Sequence, residues 1–174
     1  MLDHGKNWDV APDWATAELN VAGVTIRSLD LAETALVSGD LAAFAATSGL
    51  DAEGAGAFGE ATGERYTVRL ARDRLLLVGP LPEAVTESWN AAGFAVTATG
   101  GMDHVFTLSG AGLAALLARA TTVDPAIGSR SAMIGFGGVP AVVYRHAGSD
   151  ALRLHVERSL AAYLWTWLQT ALKA

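Results

Sequence analysis

Two spacings of apolar residues alternate along the chain, and the switches between them mark out its elements. Residues 21–29 (Val-Ala-Gly-Val-Thr-Ile-Arg-Ser-Leu) read as a strand. Ser38-Gly39-Asp40 then opens a helix running through Thr47, with Leu41, Phe44 and Ala45 inward and Gly49 as its stop. Residues 66–70 and 75–78 flank residues 71–74 as a strand-turn-strand. Pro80 and Pro82 stand before a helix expected over residues 83–92 and closed by Gly93. Residues 94–99 and 104–108 read as strands on either side of a Gly100-Gly101 turn. Ser109-Gly110 opens a second helix, residues 111–120, with Leu113, Leu116 and Leu117 inward, and Asp124-Pro125 breaks it. Residues 132–145 read as a hairpin turning at Gly137-Gly138.

The chain closes on its strongest signal. After a strand over residues 152–156, apolar residues recur at Leu160, Leu164, Trp167, Leu168 and Leu172, the spacing of an amphipathic helix, and Ser159 is placed to cap it. Tyr163 and Trp165 fall on the two flanks of that stripe, so the apolar arc is wider than one sheet face needs. Two readings fit: a deeply buried core helix, or a helix with one face on its own sheet and one edge on another protein. The second puts Leu160, Leu164, Leu168 and Leu172 inward and Trp165 on a boundary with a partner.

Two stretches lack either spacing. Residues 1–20 are polar and aperiodic yet carry Trp8 and Trp14. They are expected to form an arm that orders when its indoles enter a partner's pockets; the alternative is that the tryptophans fold back over the domain's own surface. Residues 51–63 are rich in Gly and Ala, with no Lys-Ser/Thr end and no strand feeding them, so a flexible connection is expected rather than a phosphate loop. An internal repeat links the rest: residues 36–44 (Leu-Val-Ser-Gly-Asp-Leu-Ala-Ala-Phe) resemble residues 107–116 (Thr-Leu-Ser-Gly-Ala-Gly-Leu-Ala-Ala-Leu). The expected organisation is therefore an arm over 1–20 and two pseudo-repeated halves, 21–99 and 100–174, forming one compact domain. The fold class is α+β, with mainly antiparallel sheets and helices packed on one face of each.

Composition narrows the functions. Hydrophobic residues make up 51% of the 174 and charged ones 17%, enough apolar side chain for a sizeable core. A net charge of −6 lacks the basic footprint of a nucleic-acid or anionic-membrane binder. The chain has no cysteine, which excludes disulfides and thiolate chemistry and fits a cytoplasmic location. Neither a secretion signal nor an apolar run of about 20 residues stands in the sequence. His4, His104, His146 and His155 share no metal-ligand spacing with one another, and no Gly-x-Ser-x-Gly elbow is present. Gly135, Gly137 and Gly138 have fingerprint-like spacing but lie inside a predicted hairpin, where a tight turn explains them. No catalytic, cofactor-binding or metal-ligating residue is expected on this chain. The expected site residues are instead the aromatic interface candidates Trp8, Trp14, Tyr163 and Trp165.

Residues 101–172 resemble the gamma subunit of heterotetrameric sarcosine oxidase. The resemblance rests on Asp103-His-Val-Phe-Thr-Leu-Ser-Gly110, the helix at Leu113–Leu117, Val123-Asp124, Arg130, the segment Gly138-Val-Pro-Ala-Val-Val-Tyr-Arg145, and Leu154-His-Val-Glu-Arg-Ser-Leu-Ala-Ala-Tyr-Leu-Trp-Thr-Trp-Leu168. The first half matches more loosely, mainly through Leu77-Val-Gly-Pro80. The sequence departs from the family after Asp124, where the usual loop is shortened to Pro125-Ala-Ile-Gly128. The resemblance implies a fold similar to the glycine-cleavage aminomethyltransferase domain. It also implies a place beside alpha, beta and delta subunits in a complex that oxidatively demethylates an N-methyl amino acid. FAD, FMN, NAD and tetrahydrofolate are then implied on the partner subunits, and no catalytic residue of the family maps onto this chain. The alternative on the same fold is a free-standing folate-binding or one-carbon-transfer protein.

Overall fold

A computed structural model describes residues 11–31, 33–147 and 151–173. Its strands, in chain order, are β1 (Glu18–Val21), β2 (Val24–Leu29), β3 (Thr34–Gly39), β4 (Glu60–Ala61), β5 (Tyr66–Ala71), β6 (Arg74–Val78), β7 (Trp89–Asn90), β8 (Phe94–Ala98), β9 (Asp103–Ser109), β10 (Met133–Phe136), β11 (Val139–His146) and β12 (Leu152–Glu157). Its helices are α1 (Leu41–Ser48), α2 (Leu113–Ala120) and α3 (Ala161–Lys173). A seven-stranded sheet runs β1-β2-β9-β12-β11-β10, with β4 added beside β11; a five-stranded sheet runs β5-β6-β3-β8-β7. All pairs are antiparallel except β4 with β11.

Side-chain alternation turns these two sheets into four layers. On β6, Leu75 and Leu77 join Phe44 of α1 in one core, while Leu76 and Val78 point the other way, toward Val142 and Tyr144 of the seven-stranded sheet. On β11, Ala141 and Val143 face α2 and α3, and Val142 and Tyr144 face the five-stranded sheet. The order is helix, sheet, sheet, helix, with a core at each of the three seams. This explains why Leu75–Val78 is unbroken apolar sequence: both faces of that strand are buried. The expected α+β class with mainly antiparallel sheets and helices on one face holds, since the second face of each sheet is taken by the other sheet.

Local sequence explains most boundaries. Asp40 caps α1, its Oδ1 accepting from the Ala43 amide at 2.9 Å, and Gly49 ends it at φ +73°. The β10–β11 hairpin turns on Gly137 and Gly138, both at positive φ (59° and 86°), the backbone of a two-residue type I′ turn.

Five expectations change. No helix forms over residues 83–92. Val85 is the one buried side chain of that stretch. The Val85 amide closes a turn on Pro82 and the chain then pairs as the edge strand β7, with Trp89 exposed. The expected repeat of a second helix in the first half is thus missing. Residues 21–29 are not one strand: Ala22 and Gly23 make a second two-residue turn at φ 51° and 73°, so β1 begins inside the stretch read as an arm. Ser159 does not cap the closing helix. Its hydroxyl donates to Glu157 at 2.6 Å, and a 3-10 turn, Arg158–Leu160, leads into α3. Residues 51–63 are not a flexible connection. Ala57 and Phe58 are buried, the Ala57 amide donates to Ser129 O at 2.8 Å, and β4 lies in the seven-stranded sheet. A Cβ on Gly56 would stand 2.1 Å from that same Ser129 oxygen, so close backbone approach explains the glycine there.

Candidate functional site

The tryptophan-rich surface comes first. Trp8 lies outside the described residues. Trp14 precedes β1 and lays its indole against three rings: His104 at 4.4 Å between centroids, Phe106 at 5.7 Å and Trp165 at 5.7 Å, edge-on. Trp165 stacks on Phe106 at 5.8 Å and is only 6% exposed, so it belongs to the core between α3 and the seven-stranded sheet. Leu164, Leu168 and Leu172 are buried in the same core, with Leu160 and Trp167 partly covered beside it. Tyr163 sits elsewhere on α3. It is 49% exposed, and its hydroxyl donates to Gly137 O at 3.1 Å, tying the helix to the β10–β11 turn. The structure therefore brings Trp14 and Trp165 together and leaves Tyr163 apart. Four other large apolar residues are exposed and are not among the interface candidates: Trp89 on β7, Met102, Met133 and Ile127, the last 85% exposed in the short loop after Asp124. A loop residue carries no periodicity, so nothing in the pattern marks it.

A second feature is buried. Between the two sheets runs a chain of polar side chains that no motif predicts. The Arg153 guanidinium donates to the Tyr66 hydroxyl, which lies 2.9 Å from the Tyr144 hydroxyl, itself 2.9 Å from His155 Nε2. Residues 153 and 155 share one face of β12, and Tyr144 is paired with Arg153 across the β11–β12 ladder; sheet packing then supplies Tyr66 from β5. The last member, His155, is 1% exposed; among the described residues its Nδ1 has no hydrogen-bond partner, and Asp103 Oδ2 lies 3.9 Å from it. Burial, then the Arg153 cation, pushes the His155 imidazole down to about 3. Burial holds Tyr66 and Tyr144 above the ordinary tyrosine value. Asp103 is raised too, by burial first and the Glu157 carboxylate second.

The chain's two ends reach the surface in two different clefts. Arg153 and Tyr66 line one, with His146, Glu33 and Glu64. Asp103 lines the other, a cleft of about 640 Å³ where β2 ends and β9 begins, with Trp14, Ser28, Asp30, Gly101, His104 and Arg158. His104 is fixed there by Ser28 Oγ, 3.2 Å from its Nε2, and burial followed by the Arg158 cation holds it below the ordinary histidine value. Among the described residues no group of His, Asp and Glu side chains could hold a metal ion, and no helix is long and apolar enough to cross a membrane.

Fold and site together define an α+β protein of two packed antiparallel sheets, with an aromatic cluster under its last helix and open clefts at its seams. The chain belongs to the sarcosine oxidase gamma subunit family, whose model matches residues 30–174. Its architecture is similar to that of a chain in heterotetrameric sarcosine oxidase from Corynebacterium sp. U-96, solved in complex with pyrrole 2-carboxylate. The TM-score is 0.67 at 18% identity, over 89% of this chain and 86% of that one. A search of curated protein sequences returns no match.

Proposed function

We propose that the chain is the gamma-type subunit of a heterotetrameric, sarcosine oxidase-like flavoenzyme and that its part in the complex is structural. The observation that carries this reading is the family match over residues 30–174. The shared architecture with a chain of a heterotetrameric sarcosine oxidase supports it. In this reading alpha-, beta- and delta-type subunits are the partners in the cytoplasm, and they hold FAD, FMN, NAD and tetrahydrofolate. The complex oxidatively demethylates an N-methyl amino acid, and this chain contributes no reacting group. Of the interface candidates among the described residues, Tyr163 is the most exposed, while Trp14 and Trp165 pack beneath the surface.

Co-expression with alpha-, beta- and delta-type subunits tests the proposal. The expected result is co-purification of all four chains, with N-methyl amino acid oxidation confined to the complex and the isolated chain colourless and inactive. Stoichiometric flavin absorbance on the isolated chain, or a three-subunit complex that forms and works equally well without it, would overturn it.

A further inference from the structure

The turn before β1 is held to the rest of the protein by side chains alone. It closes on Asp13, whose carbonyl accepts from the amides of Thr16 and Ala17 at 3.1 and 2.8 Å. The Asp13 carboxylate accepts from the Ala15 amide at 3.2 Å and the Thr16 hydroxyl at 3.0 Å. Among the described residues no hydrogen bond joins residues 11–16 to anything beyond Ala17. What holds the turn down is the Trp14 indole on the rings of His104, Phe106 and Trp165. Because its polar groups are satisfied within itself, the turn can swing about Ala17, just before β1 begins, and lose only ring contacts.

The indole covers a titratable group. His104 is 9% exposed, Trp14 lies 4.4 Å from it between ring centroids, and its Nε2 is 3.2 Å from the neutral Ser28 hydroxyl. Its ladder partner on β12 is Val156, and α3 brings up only Trp165 beside the same indole, so neither element offers it an anion. The charged groups on its open side are Arg158, Asp30 and Asp103, which line the adjoining cleft. We propose that Trp14 is a pH-biased latch: it closes over neutral His104, and protonation of His104 favours the open position, uncovering Phe106 and Trp165. A cation formed beneath the indole is withdrawn from water and faces Arg158, and opening relieves both costs. The two carboxylates and the indole face pull the other way, since each attracts a cation. The balance is set in the closed state, where burial first and Arg158 second hold the imidazole below its ordinary 6.5. By linkage, a cover that lowers proton affinity is itself weakened by the proton. Closure is therefore favoured above the ordinary histidine value and weakens as pH falls below it.

Fluorine NMR of the full isolated chain, labelled with fluorotryptophan and titrated between about pH 8 and about pH 5, tests the latch across the histidine range. Trp14→Phe assigns the Trp14 signal, and proton NMR follows the His104 imidazole in the same samples. The Trp14 signal is expected to move toward its unfolded-chain position as His104 takes up its proton, and His104→Gln to abolish the movement. Trp14→Leu removes the indole from a half-buried position and is expected to raise the His104 midpoint by about half a pH unit, roughly a threefold gain in proton affinity. Arg158→Gln alters an exposed side chain and is expected to raise the midpoint in the same direction and to shrink the Trp14 response. A Trp14 signal that stays in place while His104 titrates, or a movement that persists in folded His104→Gln protein, would overturn the proposal. So would a His104 midpoint that falls in Trp14→Leu, for the indole would then be stabilising the imidazolium rather than excluding it. None of these outcomes alters the co-purification result that tests the subunit reading.

Discussion

At the scale of the residue, the buried polar chain has a direction. Arginine can only donate, so Tyr66 accepts from Arg153 and its own proton is free for Tyr144. Tyr144 then donates to His155 Nε2, which places the imidazole proton on Nδ1, facing the Asp103 carboxylate. The cation at one end and the carboxylate at the other favour the same arrangement. Because folding holds His155 neutral down to about 3 against an ordinary 6.5, the unfolded chain binds the extra proton between those values. Stability therefore rises with pH across that window and is lost as pH falls through it, by up to a few kcal/mol. Asp103, raised by burial, works in the opposite sense just above its ordinary 3.8. Urea midpoints measured from pH 4 to 7 are expected to climb for the wild-type chain and to flatten in His155→Gln. The aromatic residues of α3 separate just as cleanly. Trp165→Ala removes a buried ring and is expected to destabilise the free chain by about 3–5 kcal/mol. Tyr163→Ala removes a half-exposed one and is expected to leave the melting temperature within a few degrees while lowering recovery of the complex. Equal losses of melting temperature in both variants would show that Tyr163 is a core residue after all.

At the scale of the element, the first strand depends on what precedes it. Removing residues 1–21 deletes β1 together with the Trp14 ring that covers His104, Phe106 and Trp165. The truncated chain is expected to melt well below the full one in calorimetry, whereas an arm that ordered only on a partner would come off without effect. The reading of residues 1–20 as an arm changes for the described residues 11–20, and for a definite reason. The turn that starts the hairpin is Ala22-Gly23, and alanine at positive φ is not a turn signal that a sequence displays. Where the turn residues were Gly137-Gly138, or where both faces of a strand were buried as on β6, the pattern was sufficient. Prolines 80 and 82 suggested a helix because proline often opens one, but the stretch behind them had too little apolar surface to hold a helix down. Two of the glycines in residues 51–63 mark crowding rather than freedom, Gly56 against Ser129 and Gly54 against Arg69 and Leu75. The polar chain was the least legible feature. Its members come from β5, β11 and β12, and only the pairing of Arg153 with His155 two residues on left a trace, as residues sharing a strand face. The cleft was equally hidden, since Asp103 and Arg158 meet Trp14 and Asp30 only through the β2–β9–β12 ladders.

At the scale of the molecule, the boundary expected at residue 99 falls between β8 and β9, which do lie in different sheets, yet β1, β2 and β4 come from before it and sit in the sheet otherwise built from later strands. Arg27 of β2 pairs with Thr107 of β9, 80 residues further on. That exchange governs how the protein is made. Until β9 leaves the ribosome, the β1–β2 hairpin has no neighbour, and its outer rows of amides and carbonyls stand open to other chains. Long-range ladders of this kind close slowly, so refolding from urea is expected in milliseconds to seconds rather than microseconds. A fragment ending at residue 99 is expected to aggregate, and adding residues 100–174 in trans during refolding is expected to rescue it. A soluble fragment with a cooperative melt of its own would show that the first half needs nothing from the second. In the cell, the same delay gives partner subunits and chaperones an early opportunity to engage the growing chain.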